Sequence, residues 1–333
     1  MYEGKARTYY QGSPSGDGQF LVAAFVTSLT APDEAPYMTN QLRFDATDGF
    51  MDDRWFEDDF ITTYARLGRP LALSREGLLY DANSGSELAE IDHALTTHFK
   101  AMDAKDGTLL IAGDNGRFWA GAPDALSYIE NDVHRPMPGP ISTLEEKIAW
   151  GQQMQQAFAC RILATQDFLI GGARGFLTRY VAGTFRPVAV GTGSHVTGIT
   201  QLADGTILVC GHTPDSFVGV LNDADMLDAI YTQPDGPRLH SPCQFEDTVF
   251  VAASNVPGGL FTISDGALQP LDIPNSESFG ALRHLGPDGS RLWAVFEQAL
   301  VLIKDGSFRV HQHPGGLWAA MDGFAFHDIS RTS

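Results

Sequence analysis

The chain has 333 residues, 43% of them apolar, and carries 22 Lys and Arg against 41 Asp and Glu, a net charge of −19 at pH 7. That charge keeps the molecule soluble and argues against nucleic acid or an anionic membrane as a partner. The apolar share is enough for a substantial core, and 35 Gly with 18 Pro suit a chain built of many tight turns.

From the N-terminus, MYEGKARTYYQG holds no apolar leader, and no later run is long and apolar enough to span a bilayer. Asp17-Gly18 followed by QFLVAAFVTSL is the first instance of a phrase that recurs along the chain: an acidic residue, often with Gly beside it, then an apolar run, a turn and a second apolar run. A long excursion follows, containing DATDGFMDDRWFEDDF at 45–60, and Glu76-Gly77 then LLYDANSG opens a second, short unit. The phrase continues at Asp106-Gly107, Asp167, Asp204-Gly205, Asp247 and Asp288-Gly289, with a truncated echo at Asp322-Gly323. From Asp106 onward the anchors are spaced by 61, 37, 43, 41 and 34 residues. Spacing of about 40 residues is the length of a four-stranded propeller blade, a unit that cannot bury its faces alone.

The wide interval is explained by TLEEKIAWGQQMQQAFA, which lacks β-branched runs and follows Pro136 to Pro140. Ser142 and Glu145 stand at capping-box spacing, so a helical insertion over 141–157 is expected between two blades. Trp150, Met154, Ala157 and Phe158 would form its apolar side. Short extended runs precede the anchors (HFKAMDA, FACRILATQ, HVTGITQLA, HSPCQF, FGALRHLG, LWAAM) and read as inner strands, while Asn115-Gly116 and Asp305-Gly306 read as hairpin turns. The expectation is a single all-β domain over 1–333, a propeller of seven four-stranded blades with six and eight as alternatives. The strands around Trp318–Ile329 are expected to close it against the N-terminal segment.

The pattern resembles the broad group of WD40, YVTN and BNR-like repeat propellers, and IGGARGFLTRYVAGTF at 170–185 is nearest to their Gly-Gly-x-x-Gly blade form. None of the five Trp is followed by Asp, and no Asp-box is present, so the resemblance implies a fold and no particular activity.

Chemistry is sparsely marked. There is no phosphate-cradling Gly-Lys-Ser/Thr loop, no Gly-x-Ser-x-Gly elbow and no His-Glu-x-x-His pair. Three cysteines without a Cys-x-x-Cys pair, Cys160, Cys210 and Cys243, all in expected strands, read as buried thiols of a cytoplasmic protein. His98, His195 and His240 precede inner-strand anchors by 8, 9 and 7 residues, which puts them at the channel mouth, with Phe279 and Trp318 at the matching positions of the next units. Three neutral imidazoles could ligate a divalent metal, the alternative to a protein with no cofactor; the plain reading is polar mouth residues bound to water and carbonyls. His311-x-His313, late in its blade, is expected to be exposed.

The 45–60 segment interleaves Asp52, Asp53, Glu57, Asp58 and Asp59 with Trp55 and Phe56, a mixture suited to aromatic anchors in an acidic rim. An outer strand with its aromatics inward and its acids in water would give the same pattern. These features lead to the expectation of a non-catalytic, protein-binding propeller, monomeric apart from a basic partner. A bacterial toxin-neutralising (immunity) protein is one form of it. The alternative is a hydrolase, lyase or lactonase with its site in the channel.

Overall fold

The computed structural model describes residues 5–16, 18–28, 39–56, 60–91, 98–133, 143–264, 266–312 and 325–329. Among these, 29 strands form seven antiparallel sheets, six of four strands and one of five. Each sheet is a meander in chain order: residues 5–56, 61–90, 99–128, 157–187, 195–234, 239–270 and 282–312, taken below as blades 1 to 7. The first strands touch one another in succession, Lys5–Gly16 to Ile61–Leu67 and onward to Leu282–Pro287, which returns to Lys5–Gly16. The first strand of every blade therefore lines the axis of a closed seven-bladed propeller.

The repeated acidic phrase is turn chemistry. Asp106 (φ 50°) and Gly107 (φ 81°) join the first two strands of blade 3, both in the left-handed region that a two-residue hairpin requires. Elsewhere the acid caps its own turn: Asp204 Oδ1 accepts from Thr206 N at 2.9 Å, and Asp288 Oδ1 accepts from Ser290 N and Arg291 N at 2.8 and 2.9 Å. Glu76-Gly77 has the same chemistry at a different place. It joins the second and third strands of blade 2, and the turn between the first two is at Gly68. The sequence phase of that unit was therefore one hairpin late, because both hairpins need the same φ > 0 residues.

Burial follows from the pleat. Alternate side chains of each sheet face one neighbouring blade or the other. Seven apolar layers result, one per blade interface, such as Leu71, Leu73 and Leu79 against Phe99, Met102 and Ile111 between blades 2 and 3. The seam between blades 7 and 1 is filled by Trp293, Val295, Leu300 and Leu302 against Tyr9, Phe20, Val22 and Phe44. Trp293 stacks on Phe20 at 4.6 Å, and Tyr9 N donates to Glu297 O at 2.9 Å across the seam. The C-terminal strand Ala325–Ile329 pairs with Ser307–Gln312 as a fifth strand of blade 7, not with any N-terminal strand. Closure is accordingly made by packing rather than by a strand exchanged between the termini. Asp322 and Gly323 lie outside the described residues, as does Trp318.

A ten-residue helix, Leu144–Gln153, lies in chain order between blades 3 and 4. Its capping box is Thr143 with Glu146, one residue later than the Ser142–Glu145 spacing suggests; Ser142 is outside the described residues. The helix ends at Met154, whose extended ψ of 138° turns the chain away. Ala157 and Phe158 accordingly belong to the inner strand of blade 4 and not to a helical face. Thr143→Ala should weaken the helix by about 1 kcal/mol, read as faster amide exchange at residues 144–147 with the rest of the protein unchanged.

Candidate functional site

First strands start, and second strands end, on one face of the ring, so this mouth gathers residues from many blades. Blade 5 supplies His195 and His212, which face each other in register across its first two strands with ring centroids 6.2 Å apart. Blade 6 supplies His240 and blade 7 His284. Blade 4 supplies Phe158, 5.7 Å from His195, and Arg174, whose backbone N–H donates to His195 Nδ1 at 3.1 Å. Lys100 of blade 3 lies over the Phe158 ring at 5.4 Å and pairs with Asp114 at 3.0 Å.

The imidazoles are held neutral. Burial pushes His212 and His240 down to about 4 and His284 to about 3, and neighbouring imidazoles add to the effect. His195 is lowered by burial and by Arg174, and His98 by burial and by Arg75. His240 is fully committed: Nε2 donates to Leu282 O at 3.1 Å, and Nδ1 is 3.1 Å from Ser241 Oγ. Backbone geometry is unusual beside each ring. Arg174, Thr213 and Ser241 have φ of 58°, 59° and 46° without being glycine. For a β-branched Thr this is a costly conformation of the kind that gathers at functional sites.

All three sequence-selected histidines thus lie on the same face, and His195 and His240 are linked through His212. His98 keeps separate company, with Arg75, Glu76, Lys100 and Asp114 as its charged neighbours. Among the described residues no group of three or more His, Cys, Asp and Glu is placed to hold a metal ion. Phe279 does not line the channel. It is 1% exposed and packs on Phe296 at 5.5 Å, because a 3-10 turn over Ser276–Ser278 carries it into the core between blades 6 and 7. His311 is fully buried against Phe44 rather than exposed. His212 and His284 escaped the sequence reading, although His212 closes the apolar run ILVCGH and is the register partner of His195. The three thiols are buried and free, and burial raises them all, Cys243 to about 12. That is the state of inert core cysteines.

The acidic segment forms the outer strand of blade 1, Gly49–Phe56. Phe56 is 5% exposed and packs edge-on to Tyr80, so it is core and unavailable to a partner. Trp55 is half-buried with the Arg7 guanidinium 5.7 Å over its ring. Asp52 is exposed and 3.5 Å from Arg43. Met51 is the extra residue of a bulge in this strand and stands 47% exposed. Asp53 lies in the strand, and Glu57, Asp58 and Asp59 are outside the described residues. Away from the histidine mouth, a cavity of about 510 Å³ opens between blades 3 and 4, lined in part by Tyr128, Phe168 and Tyr180.

No protein-family model matches the chain, and no curated protein matches it. Solved propellers do. The WD40 β-propeller domain of Doa1 has a TM-score of 0.62 at 9% identity, over 95% of this chain and 100% of that one. A catalytically inactive virginiamycin B lyase from Staphylococcus aureus, with quinupristin, has 0.64 at 10% identity, over 89% and 94%. YCF48 bound to D1 peptide has 0.60 at 8% identity, over 91% and 93%. At these identities the likeness is one of fold.

Proposed function

We propose that the protein is a non-catalytic binding propeller that holds a basic partner protein against the outer strand of blade 1. The observation that carries this is Met51: a large apolar side chain raised on a bulge of an edge strand, 47% exposed, between exposed Asp48 and Asp52 in a chain of net charge −19. An apolar anchor within an acidic rim is the composition of a contact surface, and it lies on the outermost strand of its sheet. Solved propellers of the same fold include one with a peptide bound, which supports the reading. Neutralisation of a basic toxin in the cytoplasm is one form of it, resting on charge alone.

A stoichiometric complex drawn from native lysate should be lost on Met51→Glu with Asp52→Lys, two surface changes that leave the core intact. It should also weaken as salt rises from 0.05 to about 0.3 M, where the screening length falls below about 10 Å. A complex that survives both would remove this surface from the account.

A second reading places hydrolase or lyase chemistry at the mouth. The neutral His212 imidazole beside the strained Thr213 favours it, since a positioned imidazole can serve as a general base. Turnover of an ester or lactone panel, abolished by His212→Asn, would support this reading, and no turnover by the purified protein would end it.

A further inference from the structure

We propose that the mouth of blades 4 to 6 is an anion site that takes a carboxylate between His195, His212 and Arg238. The inference concerns the mouth alone and does not depend on the blade 1 surface.

The hydrogen-bond pattern settles which ring atoms are open. His195 Nδ1 accepts from Arg174 N, so the neutral ring carries its proton on Nε2. That N–H has no acceptor among the described residues. His212 Nδ1 is 2.7 Å from Thr213 Oγ1, and its Nε2 likewise has no partner among the described residues. Both rings are half-buried, and His240 of the next blade has both of its nitrogens used. The two ring centroids are 6.2 Å apart, and His195 keeps a ring N–H without an acceptor among the described residues.

Two arginines act on the rings, Arg174 on His195 and Arg238 on His212, and among the described residues no carboxylate offsets them there. Three carboxylates of this face are engaged elsewhere, Glu76 with Arg75, Asp114 with Lys100 and Glu297 with Arg283, while Asp215 opens the third strand of blade 5 with its backbone N–H on Ser194 Oγ. Arg238 is exposed at the start of blade 6, and its guanidinium has no ion-pair partner among the described residues. Its backbone N–H is fixed by Asn255 Oδ1 at 2.5 Å, which anchors the stem of the side chain. A planar two-oxygen anion matches this set: the guanidinium fork takes one edge and the His195 Nε2–H donates to an oxygen. The same chemistry could come from a small free carboxylate or from the C-terminus of a peptide.

The test is a titration of the intact protein followed by imidazole ¹H–¹⁵N NMR, with succinate, with a short peptide bearing a free C-terminus, and with its C-terminal amide. His195 and His212 signals should move together and saturate at millimolar carboxylate or tighter, while His98 stays fixed. The amide should be at least tenfold weaker than the free peptide, and Arg238→Gln should weaken binding at least tenfold with an unchanged melting temperature. Tighter binding of the free peptide than of succinate identifies a chain terminus as the occupant, and the reverse identifies a small acid. Absence of any saturable shift, or an equal response in Arg238→Gln, overturns the proposal.

Discussion

Trp293→Ala should destabilise the protein by about 3–5 kcal/mol from the lost core volume alone, enough to unfold many domains whose whole stability is about 5–15 kcal/mol. Trp293 is fully buried at the seam of blades 7 and 1, stacked on Phe20, and its Nε1 donates to Asp288 Oδ2 at 2.8 Å. Truncation leaves a cavity where the ring closes and removes a donor from a nearly buried carboxylate, a further cost of about 1–3 kcal/mol. The side chain of Asp288 is only 5% exposed. Because the C-terminal strand pairs within blade 7, no strand exchange supports the seam when its packing fails. Trp293→Phe, which keeps the stack and loses the hydrogen bond, should cost less. Chemical denaturation of both variants checks this, and a Trp293→Ala midpoint equal to wild type would contradict closure by packing.

Acid should destabilise the protein well before its ordinary carboxylates titrate. An unfolded histidine titrates near 6.5, whereas His212 and His240 titrate at about 4 and His284 at about 3 in the fold. Between pH 6.5 and about 4 the unfolded chain takes up protons that the native state refuses, so stability is full above 6.5 and falls as pH drops. The combined loss should be of the order of a few kcal/mol. Buried Asp103 and Asp114, whose carboxyls are pushed upward by burial, oppose the trend, so the histidine part is isolated by comparison. The melting temperature of His284→Gln should depend less on pH than that of wild type over this window. Parallel curves would show that the imidazoles do not control it.

The fold was legible because its turns are chemically explicit. Asp-Gly and Asn-Gly pairs mark several of the hairpins that need φ > 0, such as Asp106-Gly107, Asn115-Gly116 and Asp305-Gly306, and the spacing of the acidic anchors gave the blades. The same chemistry misled at Glu76-Gly77, since a turn between the first and second strands looks like one between the second and third. The end of the helix was misread because Ala157 and Phe158 continue an apolar pattern whose period only the sheet decides. At the site, position along the inner strand selected His195 and His240, but His212 enters by cross-strand register, which no count along the chain displays. Phe279 was misjudged for a related reason, since an aromatic near an inner-strand end faces either the channel or the neighbouring blade, and of the two readings open for Phe56 the structure shows the aromatic packed inward. Net charge gave the protein's overall sign and hid the arginines that stand beside His195 and His212.

The proposed binding role is tested most directly by mapping the interface of the native complex with amide hydrogen exchange. The account predicts protection concentrated on residues 49–56 of blade 1, with residues 195–213 unaffected by the basic partner. Protection confined to the histidine mouth, with 49–56 exchanging as in the free protein, would contradict it.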